Sequence, residues 1–318
     1  MKTIEWGFLI VNYLFLGGLS AGLFFVSALA TFLYKIEEPS PYTRIARLGA
    51  FLAPWPVMIG CGLLVFDLGH WYRFYKLFFH LRVVSPMSIG TWLLVFFNGI
   101  ALVYCYAWLT KAQRTALFAR IPQTLGFLRK FNYDIDHWRR HLALAGLPIS
   151  VGVGIYTGVL LGAVQSRPFW NTNLVAQLFL FSALSTGCAA LILGLARREQ
   201  SAQELKLLYG LDICFMVLEF FIVLPYLIHG ELSVQAVQDS LRLILGGPFT
   251  ILFWVFFLGL GLLTPLVIEI TELVPVMLSN REFHYRRSIA SGTALLILVG
   301  GFLLRYIFVF AGQMSAMQ

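Results

Sequence analysis

Residues Leu63–Trp92 read LLVFDLGHWYRFYKLFFHLRVVSPMSIGTW, and this stretch decides how the chain is organised. An apolar run ends at a carboxylate, Asp67, and a polar and aromatic connection follows it. A second apolar run begins after Ser85-Pro86-Met87-Ser88, where a proline suits the first turn of a helix. A carboxylate at the edge of a hydrocarbon span is costly unless it has a partner. The stretch therefore predicts two membrane helices whose connection lies at the membrane surface. It also predicts that this connection forms one wall of a binding site there.

The composition indicates a protein that spans a membrane several times. Hydrophobic residues make up 59% of the sequence and charged residues 12%, and the mean hydropathy is +0.81. These values exclude a soluble globular domain. The net charge of +8 comes mostly from short connections, where Lys and Arg set the topology and meet anionic lipid. The charge therefore predicts membrane lipids as partners and no nucleic acid.

Eight apolar runs are each long enough to cross a bilayer, which takes about 20 residues. The predicted helices cover residues 6–34, 48–69, 87–109, 141–164, 173–196, 207–229, 248–273 and 288–311. A further amphipathic surface helix is predicted over residues 233–245, where apolar residues recur on one helical stripe. The predicted fold class is an all-α integral membrane protein, a bundle of eight transmembrane helices that forms a single domain over residues 1–318.

The distribution of Lys and Arg predicts the orientation of this bundle. Sixteen of the 23 basic residues lie in the connections 35–47, 110–140, 197–206 and 281–287. Six lie in the opposite set of connections and termini, and Arg305 lies within the last predicted helix. Because cytoplasmic loops carry the excess of positive charge, both termini are predicted on the non-cytoplasmic side.

Neither the cysteines nor the histidines indicate a metal cofactor in this chain. The four cysteines lie singly in apolar runs and form no CxxC pair, so no iron–sulfur cluster and no zinc site is predicted. A b-type cytochrome, as an alternative, needs two histidines that face each other within helices. Every histidine here lies at a predicted helix end or in a connection, which disfavours haem: His70, His80, His137, His141, His229 and His284.

Acidic residues inside the predicted spans suggest a route for protons from the cytoplasm. The residues are Asp212, Glu219, Glu269 and Glu272. Glu219 lies near the middle of its helix, where a charge costs about 2.5 kcal/mol or more unless it is protonated or paired. A protonatable group is the preferred interpretation, and an ion pair with Arg305 is the alternative. Arg305 itself needs an acceptor, for which Asp67 or a ligand oxygen is a candidate.

Most of the remaining polar motifs fall at the predicted non-cytoplasmic end of the bundle. They are Asn12, Asp67, His70, Arg73, the SPMS segment at 85–88, Tyr156, the PFWNTN segment at 168–173, Arg305 and Gln313. A polar pocket there, with acids leading toward the cytoplasm, suits quinone chemistry. A quinone needs hydrogen-bond partners for two oxygens, flat walls for its ring and a route for two protons.

Seven ordered motifs resemble those of the polysulfide reductase membrane-subunit family, also called NrfD-like. They are GGLSAG at 17–22, FDLGHWYRF at 66–74, SPMS at 85–88, YTGVLLGA at 156–163, PFWNTN at 168–173, FSALSTG at 181–187 and RYIFVFAGQ at 305–313. Each motif alone is unspecific, but the ordered set is specific and covers nearly the whole chain. The resemblance also includes eight spans and outside termini.

The resemblance implies a subunit that reacts with quinone and is not catalytically complete alone. Such a subunit has no haem, and it exchanges electrons between menaquinone or ubiquinone and a ferredoxin-type, multi-cluster iron–sulfur subunit docked on its outer face. That partner commonly passes electrons to or from a molybdenum enzyme or a multihaem cytochrome. The implied location is the cytoplasmic membrane of a bacterium or archaeon, and turnover could be linked to proton translocation.

Motif and topology together give a set of candidate site residues. The predicted catalytic residues are Asp67, His70 and Tyr156, with Asp67 exchanging a proton with a quinone oxygen. The predicted quinone contacts are Asn12, Gly18, Ser20, Gly22, Arg73 and Arg305. The predicted docking residues are Ser85, Pro86, Trp170, Asn171 and Gln313. Gly18 and Gly22 lie four residues apart, so close helix packing is an equally good interpretation of that pair.

An ion-coupled transporter is the second class that fits eight helices with buried acids. Transporters of this kind place their site near the midplane, between matching halves with interrupted helices. The sequence shows no convincing internal repeat, and its polar motifs cluster at one end. The redox subunit is therefore the favoured prediction.

Overall fold

The computed structural model describes residues 6–33, 42–67, 85–119, 135–196, 202–279, 283 and 285–315. The α-helices of these residues are α1 (Phe8–Leu33), α2 (Thr43–Leu52), α3 (Pro54–Asp67), α4 (Pro86–Ala107), α5 (Lys111–Ala119), α6 (Arg139–Gly162), α7 (Leu174–Leu195), α8 (Ala202–Glu231), α9 (Gln235–Leu245), α10 (Thr264–Ser279) and α11 (Arg287–Met314). A 3₁₀ turn, Asp136–Trp138, precedes α6, and a π-helix, Leu252–Leu263, leads directly into α10.

Within the described residues, eight helical segments are long and apolar enough to cross a membrane. α2 and α3 together form one of them, and the π-helix with α10 forms another. The predicted all-helical bundle of eight spans is confirmed, whereas the side on which the termini lie stays a prediction. Arg47, Lys111 and Arg140 mark one end, here called the basic end, and the starts of α1 and α4 mark the opposite end, here called the far end.

The second span is broken where α2 meets α3. Pro54 and Pro56 have no backbone N–H to donate, so the hydrogen-bond pattern of a continuous helix is interrupted there. The hydroxyl of Ser20 in α1 donates to the carbonyl of Ala53, the residue between the two helices. This buried hydroxyl fixes the bend against α1, which is a structural role for a residue that the sequence suggested as a quinone contact.

The centre of the bundle is the contact between α1 and α7. A methyl group added at Gly187 of α7 would lie 2.6 Å from the Cα atom of Gly22 in α1. The two backbones therefore touch with no side chain between them, as small residues allow in membrane helices. Gly22 thus serves helix packing, which was one of its two interpretations.

A second close approach holds the π-helix against α11. A methyl group added at Gly300 of α11 would lie 2.6 Å from the Cα atom of Gly261. The wider turn of a π-helix disturbs the regular ladder and is common near functional sites. This contact places α10, which carries Glu269 and Glu272, beside α8 and α11.

α1 separates two regions of the bundle. On one side it packs against α3 and α6, and on the other against α7 and α11. A methyl group added at Gly17 would lie 3.8 Å from Thr157 of α6, whereas one added at Gly18 would lie 3.2 Å from Nη2 of Arg305 in α11. The consecutive glycines make α1 thin at the level where it separates these regions.

The α1–α7 contact predicts a large difference between two Gly→Ala variants. Gly187→Ala should lower the free energy of unfolding by about 1–3 kcal/mol, because the new methyl group has no room against α1. Gly99→Ala is the matched control, since nothing lies within 4 Å of its added methyl group. Thermal unfolding in detergent would measure both, and equal melting temperatures would contradict the proposed packing.

Candidate functional site

Two tyrosines from α1 and α6 meet in the interior near the far end. Tyr13 is 1% exposed and Tyr156 is 7% exposed. Their hydroxyl groups lie close enough to interact, and Cys61 of α3 lies beside them. The Tyr13 hydroxyl nevertheless has no hydrogen-bond partner of normal geometry among the described residues. A buried hydroxyl without a partner is costly, so this group is suited to a polar ligand atom.

Glycines of two neighbouring helices make room for the tyrosine rings. Gly90 of α4 lies directly against the Tyr156 ring, and no side chain there could have a Cβ atom without displacing that ring. A methyl group added at Gly60 of α3 would lie 3.4 Å from the Tyr13 ring. The tyrosine pair is therefore enclosed by α1, α3, α4 and α6.

Asp67 is the last residue of α3, six residues after Cys61. At a rise of about 1.5 Å per residue, its backbone lies about 9 Å further along the helix axis, toward the far end. The side chain of Asp67, together with His70 and Arg73, lies outside the described residues. The structure therefore brings Tyr156 and the end of α3 to the same region of the bundle, while the predicted roles of the three polar side chains stay predictions.

The predicted quinone contacts on α1 fall on different faces of the helix. Asn12 is partly exposed, and its side-chain amide donates to the carbonyl of Phe8, 2.8 Å away. Gly18 faces Ala183 and Arg305, and Gly22 faces Gly187. Both glycines therefore lie on the α7 side of α1, away from the tyrosine pair.

Arg305 lies fully buried between α1, α7 and α11. Its Nη1 atom donates to the Ser182 hydroxyl at 2.6 Å and to the Gly301 carbonyl at 2.7 Å. Its Nη2 atom donates to the carbonyl of Phe179 at 3.2 Å. Glu219 of α8 interacts with both Ser182 and Arg305. Arg305 therefore interacts electrostatically with Glu219, while a direct ion pair between them, the alternative that the sequence left open, stays a prediction.

The buried acids form a line from Glu219 toward the basic end. Asp212 lies two helical turns before Glu219, and its Oδ1 atom accepts a 2.6 Å hydrogen bond from the Ser185 hydroxyl. Glu269 of α10 interacts with Asp212 on one side and with Glu272 on the other. Asp212 and Glu269 are fully buried. The four acids that the sequence singled out therefore come together in space, although they belong to two helices.

Several oxygens of this acid line have no partner. Both Oε atoms of Glu269 and the Oδ2 atom of Asp212 are buried and accept no hydrogen bond from a described residue. Glu272 lies beside the hydroxyl of Tyr209 and toward Arg286 at the basic end. The acids therefore extend from the basic end toward Arg305, while their role in carrying protons stays a prediction.

Two of the predicted docking residues are buried at the far end instead. Nε1 of Trp170 donates to the Phe308 carbonyl at 2.6 Å. The side-chain amide of Gln313 accepts from the backbone N–H of Trp6 at 2.8 Å and donates to its carbonyl at 2.9 Å. Trp170 and Gln313 therefore fasten the start of α1 to α11, so their side chains are occupied within the chain. Asn171 is exposed.

Ser85 and Pro86 lie where the sequence placed them, at the start of α4. Pro86 is in the first turn of the helix, and Ser85 precedes it without a side-chain cap bond. Both are partly exposed. Together with Asn171, they remain candidates for contact with a partner at the far end.

Sequence reasoning missed the residues that complete both polar regions. Tyr13 adjoins Asn12 but lies on another face of α1, so its approach to Tyr156 depends on helix pairing. Ser182 and Ser185 have small side chains that are typical of close helix packing, but in the structure their hydroxyls bind Arg305 and Asp212. One usable signal was the seven-residue spacing of Asp212 and Glu219, which puts both on one helix face.

Known proteins resemble the chain over nearly its full length. The family model "Polysulphide reductase, NrfD" matches residues 1–316. Protein NrfD of Escherichia coli strain K12 is 30% identical over 99% of this chain and 96% of its own. The C subunit of polysulfide reductase from Wolinella succinogenes is 30% identical over 98% of this chain and 95% of its own. An Hdr-like menaquinol oxidoreductase integral membrane subunit of Archaeoglobus fulgidus is 24% identical over 84% of this chain and 62% of its own.

The unpartnered hydroxyl of Tyr13 predicts an unusual result for stability. Tyr13→Phe should leave the melting temperature of the purified protein unchanged or raise it, because no hydrogen bond of normal geometry is lost. Tyr104→Phe is the control, since the Tyr104 hydroxyl lies 2.6 Å from the Thr31 hydroxyl in a hydrogen bond. The control should lose about 1 kcal/mol in the free energy of unfolding. A similar loss for Tyr13→Phe would show that its hydroxyl is already bonded.

Proposed function

Because the chain belongs to the polysulphide reductase NrfD family, we propose that it is the quinone-reactive membrane subunit of its complex. Family membership makes it a multi-pass membrane subunit with an anchoring role in a respiratory oxidoreductase. The proposal adds that it exchanges electrons between membrane quinone and an iron–sulfur subunit. The menaquinol named for the Archaeoglobus relative supports menaquinone as the first candidate.

The observation that carries the proposal is the buried, unpartnered Tyr13 hydroxyl beside Tyr156. A bound quinone would present two carbonyl oxygens that accept hydrogen bonds, and its reduction to the quinol would take up two electrons and two protons. Tyr13 and Tyr156 are donors that fit one such oxygen. The glycines Gly60 and Gly90 leave the tyrosines room between α3 and α4. The proposed site thus lies between α1, α3, α4 and α6, close to the end of α3.

Asp67 is proposed to hold or release the proton at this site. Asp67 is the last residue of α3, and its backbone lies further toward the far end than Cys61, which is beside the buried tyrosines. A carboxyl group can bind a proton and pass it on, whereas the tyrosines orient the ligand by hydrogen bonds. Tyr13 and Tyr156 belong to the buried apolar core of the bundle, which keeps bulk water from the site.

The acid line is proposed to bring protons from the basic end. Glu272, Glu269 and Asp212 follow one another toward Glu219. A positive charge interacts with each end of this line, Arg286 with Glu272 and Arg305 with Glu219. Arg305 touches α1 at Gly18, and Gly17 on the other face touches Thr157, the neighbour of Tyr156. This glycine pair is one described connection between the acid line and the tyrosine pair.

The far end is the proposed docking surface for the iron–sulfur subunit. The tyrosine pair and the end of α3 lie toward this end, so a partner seated here would be near the proposed quinone site. Asn171, Ser85 and Pro86 are at least partly exposed at this end. Electrons would then reach the partner across a short distance, and the chain itself would need no metal centre.

Substitutions at the proposed quinone site should reduce quinone-linked turnover of the purified complex. Tyr156→Phe removes one hydrogen-bond donor and should weaken quinone binding about 3- to 10-fold. Asp67→Asn removes the proton carrier and should lower the turnover rate about 100-fold or more while the complex still assembles. Tyr306→Phe, on the partly buried face of α11, is the matched control. Wild-type kinetics in both site variants would place the quinone elsewhere.

Proton uptake should depend on the acid line. Glu219→Gln should abolish proton translocation or uptake in liposomes that contain the complex, because an amide cannot carry the proton. Glu204→Gln is the control, since Glu204 is also buried in α8 but pairs with Arg44 at 3.7 Å, outside the line. Unchanged proton movement in Glu219→Gln would show that the acid line has a structural role and does not conduct protons.

Uptake of an ion by the chain alone, without quinone, would instead favour a transporter.

A further inference from the structure

An apolar groove opens to the membrane at the basic end of the bundle. It has a volume of about 550 Å³ and lies between the α2–α3 bend, α4 and α5. Phe51 and Trp55 form one wall, Leu102 and Leu109 form the other, and Gln113 lies at the mouth. This volume is within the range of about 300–1,000 Å³ found for ligand pockets.

The groove follows from two features of the chain. The proline-containing break between α2 and α3 redirects the second span, which packs chiefly on α1 and leaves the space beside α4 open. After α4 ends, the chain turns into α5, whose residues Gln113 and Ala116 close the groove at the basic end. The groove is therefore apolar along the membrane-spanning part and polar only at its mouth.

The mouth is organised around Arg47 and Gln113. Nη2 of Arg47 donates to Oε1 of Gln113 at 2.9 Å, and the guanidinium group lies 5.5 Å from the centre of the Phe51 ring. Oε1 of Gln113 also accepts from the backbone N–H of Thr110 at 3.1 Å. These contacts hold a guanidinium group at the opening while most of its N–H donors stay available.

Among the described residues, Arg47 has no carboxylate partner at the mouth. Asp136 pairs instead with Arg114 and Arg139, whereas the contacts of Arg47 are with Gln113 and the Phe51 ring. A guanidinium charge that no described carboxylate neutralises, placed beside an apolar groove, matches the chemistry of an anionic amphiphile.

We infer that this groove binds one anionic phospholipid. An acyl chain lies between Phe51, Trp55 and Leu102, and the phosphate group contacts Arg47 at the mouth. Guanidinium groups bind phosphate oxygens with two parallel hydrogen bonds, and basic pockets between membrane helices favour anionic headgroups. A bound lipid would also stabilise the junction of α2 with α5. The inference does not depend on the proposed quinone site, which is nearer the far end.

The isoprenoid tail of a quinone is the main competing occupant. Such a tail would fill the apolar part of the groove but would gain nothing from the charge of Arg47. A zwitterionic phospholipid would offer the same phosphate together with a positive group that Arg47 and Lys111 disfavour. The arginine at the mouth therefore favours a lipid with net negative charge.

Lipid titration by native mass spectrometry tests the inference on the purified, delipidated complex. The wild type should bind one phosphatidylglycerol at least about fivefold more tightly than phosphatidylcholine, as expected for about 1 kcal/mol from one basic residue near the membrane surface. Arg47→Gln should lose this preference. Arg140→Gln is the control, because Arg140 lies at the same end but stacks on Phe32 instead of lining the groove.

A second variant tests the groove independently of Arg47, so that the inference can still be judged if Arg47→Gln does not fold. Cys105→Phe places a ring in the apolar part of the groove and leaves the bond between Arg47 and Gln113 intact. It should abolish tight binding of phosphatidylglycerol while the melting temperature in detergent stays near that of the wild type. Three results would each overturn the inference: no preference for phosphatidylglycerol in the wild type, equal losses in Arg47→Gln and Arg140→Gln, or displacement of the lipid by menaquinone.

Discussion

The direct contact between the backbones of α1 and α7 is the constraint on which the other helix positions depend. Gly22 and Gly187 leave no side chain between the two helices, so α1 lies at the centre of the bundle and not at its surface. In hydrocarbon there is no hydrophobic force to bring helices together, and close packing of small residues takes its place. Once α1 is central, α3 and α6 can only pack on one side of it and α7 and α11 on the other.

This arrangement separates two kinds of polar chemistry with a single helix. Tyr13 faces Tyr156 on one side of α1, and Arg305 approaches Gly18 on the other. A side chain larger than a methyl group at position 17 would push α1 away from Thr157, and one at position 18 would push it away from Arg305. The glycines therefore allow close approach on two faces of α1, to Thr157 beside Tyr156 at Gly17 and to Arg305 at Gly18. Residues that the sequence grouped as quinone contacts divide between these two sides.

The spans were predictable from the sequence because each is a local property of about 20 residues, and the broken second helix was predictable from Pro54 and Pro56. The pairing of helices was not. Gly22, Trp170 and Gln313 are ambiguous in sequence, because a glycine, a tryptophan or an amide serves an internal contact as readily as a ligand. Only the tertiary structure shows that Trp170 and Gln313 bond to Phe308 and Trp6. The shared face of Asp212 and Glu219 was predictable because their seven-residue spacing is fixed within one helix.

In the acid line, unlike in a structural ion network, several carboxylate oxygens have no described hydrogen-bond partner. Where buried charges serve stability alone, each is paired and hydrogen-bonded, because an unpaired buried charge costs more than it contributes. Arg305 meets this condition at both Nη atoms. Glu269 does not, since neither of its oxygens has a described partner, and Asp212 has one oxygen bonded and one without. These unpartnered oxygens support the proposal that Glu269 takes up and releases a proton, because an apolar residue at position 269 would avoid the cost of burying them.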